Sequence, residues 1–274
     1  MYNPLIVKSL SGWGTKTALL SLHFTHKMDS IMKKAVLYSS LAALMLASGT
    51  ASATLVKNGA LDMWAADGWT QFADDDGYKP NGYVNPGWGG QNFDAEFFYY
   101  KLDGDTLSIG LQTGFDVSDN ELPWGSKNYY GGDIQLILNG SEEFAIDFGL
   151  FTESYYAAYS GTDEAGVYSN VTWNNDIYFN ASTPFAMESG TKQADLLSNV
   201  AGSGMVGGEL SYYRMVSVNL DDLLGQGTDL YSLSAHWTMS CGNDAIYGET
   251  QVPPVSVPEP SSLALMSLGL IGLL

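Results

Sequence analysis

Short runs of aromatic and β-branched residues, each closed by Gly, Asn or Asp, recur along most of this chain and restrict it to an all-β fold. Asp94–Leu102 is one run, and Thr106–Thr113 follows with apolar residues alternating at Leu107, Ile109 and Leu111. Asp103-Gly104-Asp105 between them predicts a hairpin turn, because Gly supplies the positive φ that a tight turn needs. Ile134–Leu138 and Phe144–Phe148 flank Asn139-Gly140-Ser141-Glu142, and Asn-Gly is the strongest short hairpin signal. Further strand-like runs are Tyr155–Tyr159, Val167–Trp173, Ile177–Phe179, Leu210–Leu220 and Leu230–Met239. Many short strands at this spacing predict an antiparallel β-sandwich or jelly-roll rather than a parallel α/β sheet. Helical turns are expected only at Lys192–Val200 and Asp221–Leu224, and Gly-rich Ser203–Gly208 is expected to be a flexible loop.

The two ends have a different character. Met32–Ala53 has the three regions of a secretory signal peptide: Lys33 and Lys34, an apolar stretch from Ala35 to Ala47, and small residues at Ala51-Ser52-Ala53. Ala51 and Ala53 are therefore the expected cleavage determinants for signal peptidase. Residues 1–31 do not fit in front of such a leader, so translation is expected to start at Met32 or Met28. At the other end, Pro258-Glu259-Pro260 leads into an uncharged segment that runs to Leu274. The prolines between 253 and 260 enforce an extended lead-in. The expected organisation is a signal helix over 32–53, a β-sandwich ectodomain over 54–248, a linker over 249–256 and an apolar helical tail over 257–274.

This tail resembles the PEP-CTERM sorting tail of exported Gram-negative proteins, which consists of a Pro-Glu-Pro motif, a membrane span and a basic cluster. The first part and most of the second are present, but no Arg or Lys follows the apolar run. A helix spanning a bilayer takes about 20 residues, so the tail is expected to continue roughly ten residues past Leu274. The resemblance implies that Pro258, Glu259 and Pro260 form the sorting motif, and that an exosortase is the processing partner. It also implies transient inner-membrane anchoring through the tail, followed by release to the cell surface or the extracellular matrix. His236–Asp244 resembles, more weakly, a stretch that recurs near the end of many PEP-CTERM ectodomains.

Charge and cysteine content narrow the function classes. Removing residues 1–53 takes five of the 11 basic residues and one of the 30 acidic ones, leaving a net charge of −23. Such a surface repels nucleic acid. Cys241 is the only cysteine, which excludes an intramolecular disulfide and a thiolate zinc site. The ectodomain has no phosphate-binding Gly loop, no Gly-x-Ser-x-Gly elbow and a single histidine, His236. On a strand His236 faces away from Trp237, Met239 and Cys241, which argues against a Cys–His nucleophilic pair.

Two candidate sites remain. Gln91, Asp94 and Glu96 follow a Gly-rich loop, and i, i+2 spacing on a strand places the two carboxylates on one face. With Asp133, Asn243 and Asp244 they would make a hard-oxygen site suited to calcium, against the plainer reading of strand-end caps. Trp64, Trp69, Trp88 and Trp124 lie in Gly- or Asp-rich loops rather than in alternating runs. They either fold back over the sandwich or, at Trp88 and Trp124 above all, offer rings for stacking on sugars. The expected role is non-catalytic: a structural or adhesive surface protein, stiffened by calcium. A carbohydrate-binding module for exopolysaccharide is the alternative, and a glycan-cleaving enzyme, which needs only two carboxylates, the least favoured.

Overall fold

The computed structural model describes residues 59–65, 68–75, 88–162 and 164–253. All belong to the second of two units, Thr54–Leu274; the first, Met1–Ala53, falls outside them. The signal segment with Ala51 and Ala53, and the tail with Pro258, Glu259 and Pro260, also lie outside the described residues. In chain order the strands are β1 (Thr70–Asp74), β2 (Ala95–Asp103), β3 (Thr106–Thr113), β4 (Glu121–Trp124), β5 (Lys127–Tyr130), β6 (Ile134–Leu138) and β7 (Glu142–Asp147). Then come β8 (Thr152–Glu153), β9 (Ser160–Gly161), β10 (Gly166–Asn174), β11 (Ala186–Ala194), β12 (Ser198–Val206), β13 (Glu209–Asn219), β14 (Ser232–Thr238) and β15 (Ala245–Gln251).

They form two main antiparallel sheets, ordered β1-β2-β3-β13-β12 and β11-β10-β7-β6-β14-β15, plus the ribbons β4-β5 and β8-β9. Both hairpins read from the sequence are present: β2 pairs with β3 around Gly104, and β6 with β7 around Asn139 and Gly140. Asn139 and Gly140 both have positive φ, 51° and 74°, at the centre of a β-turn that the Ser141 amide closes by donating to the Leu138 carbonyl.

Period-two alternation builds the core between the sheets. Phe98 and Tyr100 of β2, Leu107, Ile109 and Leu111 of β3, and Val216 and Val218 of β13 point inward from one sheet. Leu136 and Leu138 of β6, Ile146 of β7, and Leu233, Ala235 and Trp237 of β14 meet them from the other. This is an all-β sandwich, as the alternation predicts.

The first sheet is covered on its outer face as well. Phe97 and Tyr99 point away from the main core and pack under Leu61, Trp64 and Trp69 of the segment that precedes and enters β1. Trp64 stacks on Tyr99 with centroids 4.4 Å apart, and Trp69 meets Trp64 edge-on. A Cβ at Gly110 would come within 2.5 Å of the Trp64 ring, so only glycine admits the indole there. Burying each such side chain stabilises the fold by about 1.5–3 kcal/mol.

Five local readings change. Lys192–Val200 is not helical but contributes the end of β11 and the start of β12, because the ladder to β13 outweighs local propensity. Ser203–Gly208 is not a free loop: most of it is the end of β12, and only Gly207 and Gly208 make the turn into β13. Tyr155–Tyr159 turns rather than extending, since Ser154 Oγ accepts from the Ala158 and Tyr159 amides. Ile177–Phe179 leads into a 3-10 turn at Asn180–Ser182. Residues 249–251, expected in the linker, continue β15, where Ser232↔Gln251 pairing holds them to β14. The short helix Leu220–Leu224 forms as read, with Asn219 Oδ1 accepting from the Asp221 amide.

Candidate functional site

An aromatic cleft of about 390 Å³ opens where five separate chain segments meet. Trp88 and Gly89 come from the loop before β2, Trp124 and Tyr129 from the β4-β5 ribbon, Tyr155 from the β8-β9 turn, and Tyr178 from the loop after β10. Cys241 and Asn243, which follow β14, close the floor. The rings brace one another: Phe93 meets Trp124 and Tyr129 edge-on at 5.7 and 5.3 Å, and Tyr155 lies 5.0 Å from Tyr178. The edge-to-face contacts of Phe93 help fix the orientation of these rings. Trp88 is 41% exposed, Trp124 52% and Tyr178 51%, so these rings stay partly open to solvent.

Asn243 ties down the Trp88 loop. Asn243 Nδ2 donates to the Trp88 carbonyl at 2.6 Å, and the Trp88 amide donates back to the Asn243 carbonyl. Lys127 lies over the Tyr155 ring, 4.1 Å from its centroid, and also donates to the Tyr155 carbonyl. Burial, with Tyr155 and Cys241 nearby, raises the Tyr129 phenol above its ordinary value. Among the described residues no carboxylate lines the cleft.

The candidate oxygen ligands separate into four places. A β-bulge between Ala95 and Phe97 breaks the alternation on which Asp94 and Glu96 would share a face. Glu96 instead enters a buried network on the outer side of the first sheet. Gln91 Nε2 and Ser211 Oγ donate to its Oε1 at 2.7 and 2.8 Å, and Gln112 Nε2 to its Oε2. Gln112 Oε1 in turn accepts from the Leu61 amide and the Trp64 indole, which anchors the N-terminal cover.

Asp94 and Asp244 are the pair that the fold does bring together. Asp244 is fully buried, with Oδ2 accepting from the Ala95 amide at 2.7 Å and Oδ1 from the Ala245 amide. Burial above all, and then the charges of Asp75 and Asp94, push its carboxyl up to about 9. Asp133 stands apart, where its Oδ2 accepts from the Met187 amide at the start of β11. Asn243 belongs to the aromatic cleft. Among the described residues no three His, Cys, Asp or Glu side chains are arranged to hold a metal ion.

His236 and Cys241 do not form a pair. His236 Nε2 lies 2.9 and 3.1 Å from the Ser182 and Pro184 carbonyls, so it bears the proton and donates; burial lowers the ring below its ordinary value. Cys241 sits in the core with Trp237 and Met239, and burial pushes its thiol up to about 12.

Of the four loop tryptophans, Trp64 and Trp69 are covered while Trp88 and Trp124 converge on the cleft. Sequence reading missed Tyr129, Tyr155 and Tyr178 as their companions. The available signal was that the Tyr155 and Tyr178 runs are hemmed by Ser, Asn and Asp and lack strand alternation.

Residues 256–274 match the family of the PEP-CTERM protein-sorting motif. The tail is a PEP-CTERM sorting motif. It begins one residue before the stretch read from the sequence, and it implies exosortase-dependent export with surface- or membrane-associated sorting. No curated protein and no solved structure matches the chain. Among the described residues no helix is long and apolar enough to cross a membrane; the PEP-CTERM tail lies outside them.

Proposed function

We propose that this PEP-CTERM protein is a non-catalytic adhesive component of the bacterial surface that holds polysaccharide in its aromatic cleft. The observation that supports this reading is the convergence of Trp88 and Trp124 on one cleft whose wall, among the described residues, has rings and an amide but no carboxylate. Rings present an apolar face to the C–H side of a sugar, while the phenol hydroxyls of Tyr129, Tyr155 and Tyr178 suit its hydroxyl groups. Glycoside cleavage needs two facing carboxylates, and the cleft offers none among the described residues. The buried acid Asp244 is fully shielded from solvent and cannot reach a substrate. Binding without turnover is therefore the better fit.

The test is binding of the mature protein to a glycan array and to exopolysaccharide from an exosortase-bearing bacterium. Trp124→Ala is expected to weaken the interaction by about thirtyfold, equivalent to about 2 kcal/mol. Undiminished binding by Trp88→Ala/Trp124→Ala would remove the cleft from the account. Release of reducing ends from the bound polymer would overturn the non-catalytic reading.

A further inference from the structure

The two sheets have four edges, and they are treated differently. β1 and β15 lie against each other: a Cβ at Gly248 would come within 2.6 Å of the Ala73 Cβ, so these edges shield one another. β11 is defended as natural edge strands usually are. Its register against β10 shifts three times, and it contains Glu188 and Lys192, the latter ion-paired with Glu164 and Asp195. β12 has none of these devices. Ser198–Val206 contains no charged residue and no proline, and it pairs with β13 one-to-one over nine positions without a bulge. Its other edge has no strand partner among the described residues.

A neutral edge is unusual in a chain of net charge −19. It removes the local repulsion that would keep two such chains apart. The shape of β12 is also self-complementary. Val200, Gly202, Gly204 and Val206 lie on the outer face of the sheet, alternating with Asn199, Ala201, Ser203 and Met205. At Gly204 a Cβ would come within 2.6 Å of the Leu61 side chain, so the strand has no side chain where Leu61 leans over it. A groove of about 540 Å³ runs there, between Leu61, Met63 and Ser203–Gly207. Two β12 strands paired antiparallel about Gly202 bring Val200 of one copy, 46% exposed, opposite Gly204 of the other on the groove side. The remaining opposed pairs, Ser198 with Val206, Asn199 with Met205 and Ala201 with Ser203, place no charge against another.

We infer that β12 is a self-association edge, through which two copies of this chain join their five-stranded sheets into one continuous ten-stranded sheet. A single strand pair buries less than the roughly 1,000 Å² typical of a stable complex. The contact is therefore weak between dilute molecules and is favoured where sorting gathers copies on one surface and raises their effective concentration. It uses neither the aromatic cleft nor any ring in it, so glycan binding and association stand or fall separately.

Disulfide trapping of the full chain tests the register, and buried Cys241 does not interfere. Ala201→Cys/Ser203→Cys places thiols directly opposite across the two-fold and is expected to give covalent dimer on oxidation. Ala201→Cys/Met205→Cys, which has no opposed pair, is expected to stay monomeric. Adding Val200→Lys to the first variant drives an ammonium against the partner's Gly204 and is expected to cut dimer yield about tenfold. Circular dichroism confirms that each variant is folded. Absence of dimer in the matched pair, equal dimer in the displaced pair, or dimer that persists with Val200→Lys would overturn the inference, the last by assigning association to another surface.

Discussion

Asp244→Asn should flatten the alkaline limb of this protein's stability curve. Asp244 is fully buried, and burial with two neighbouring carboxylates holds its proton up to about pH 9, whereas in the unfolded chain it titrates near 3.8. Between those values the folded state binds the proton and the unfolded state does not. The resulting contribution is complete below about pH 3.8, falls by about 1.4 kcal/mol per pH unit as pH rises, and is gone above about 9. From pH 7 to 9 the loss is about 2 kcal/mol once the flattening near the folded pKa is included, or about 4–8 °C in melting temperature for a domain of this size. His236, held neutral by burial, has its charge change below this window. The assay is thermal melting of wild type and Asp244→Asn in a chelator, in steps across pH 7–9. The amide cannot ionise, and one of its ends must present a donor to the Ala95 or Ala245 amide, so the variant starts about 1–3 kcal/mol less stable. Its curve should then run flatter and converge on wild type near pH 9. Parallel curves would refute the buried-acid argument. A wild-type midpoint that rises on adding calcium, with no such rise in the variant, would mean that the Asp94–Asp244 pair holds a cation instead of a proton.

Other outcomes follow from the same contacts. Trp64→Ala should cost about 3–5 kcal/mol in chemical denaturation because it uncovers Tyr99 and Phe97, whereas half-exposed Trp124→Ala should stay within about 0.5 kcal/mol. Gln112→Ala, which unties Leu61, Trp64 and Glu96 together, should destabilise by about 2–3 kcal/mol and open the N-terminal cover to limited proteolysis before the rest of the sandwich. The Cys241 thiol, buried and pushed up to about 12, should resist a thiol reagent at pH 8 until the protein unfolds; rapid labelling of the native protein would contradict its placement in the core.

Residue order alone determined the strands whose alternation is local, the turns at Gly104 and at Asn139-Gly140, and the sorting tail. Each is written in neighbouring residues: a period of two, a residue that tolerates positive φ, a proline pair before an apolar run. The inward set Leu107, Ile109 and Leu111 and the core residues Trp237, Met239 and Cys241 were legible for that reason. Tertiary structure alone decided what faces outward from a strand buried on both sides. Whether Trp64 or Trp124 is covered depends on which distant surface each segment meets. It also decided the fate of the carboxylates, since one extra residue at the Glu96 bulge sent Glu96 to Gln112 and left Asp94 beside Asp244. The cleft was illegible for the same reason: its walls come from segments up to 155 residues apart, as the Trp88–Asn243 contact shows. Such walls are positioned by sheet pairing, which settles only when the whole sandwich closes.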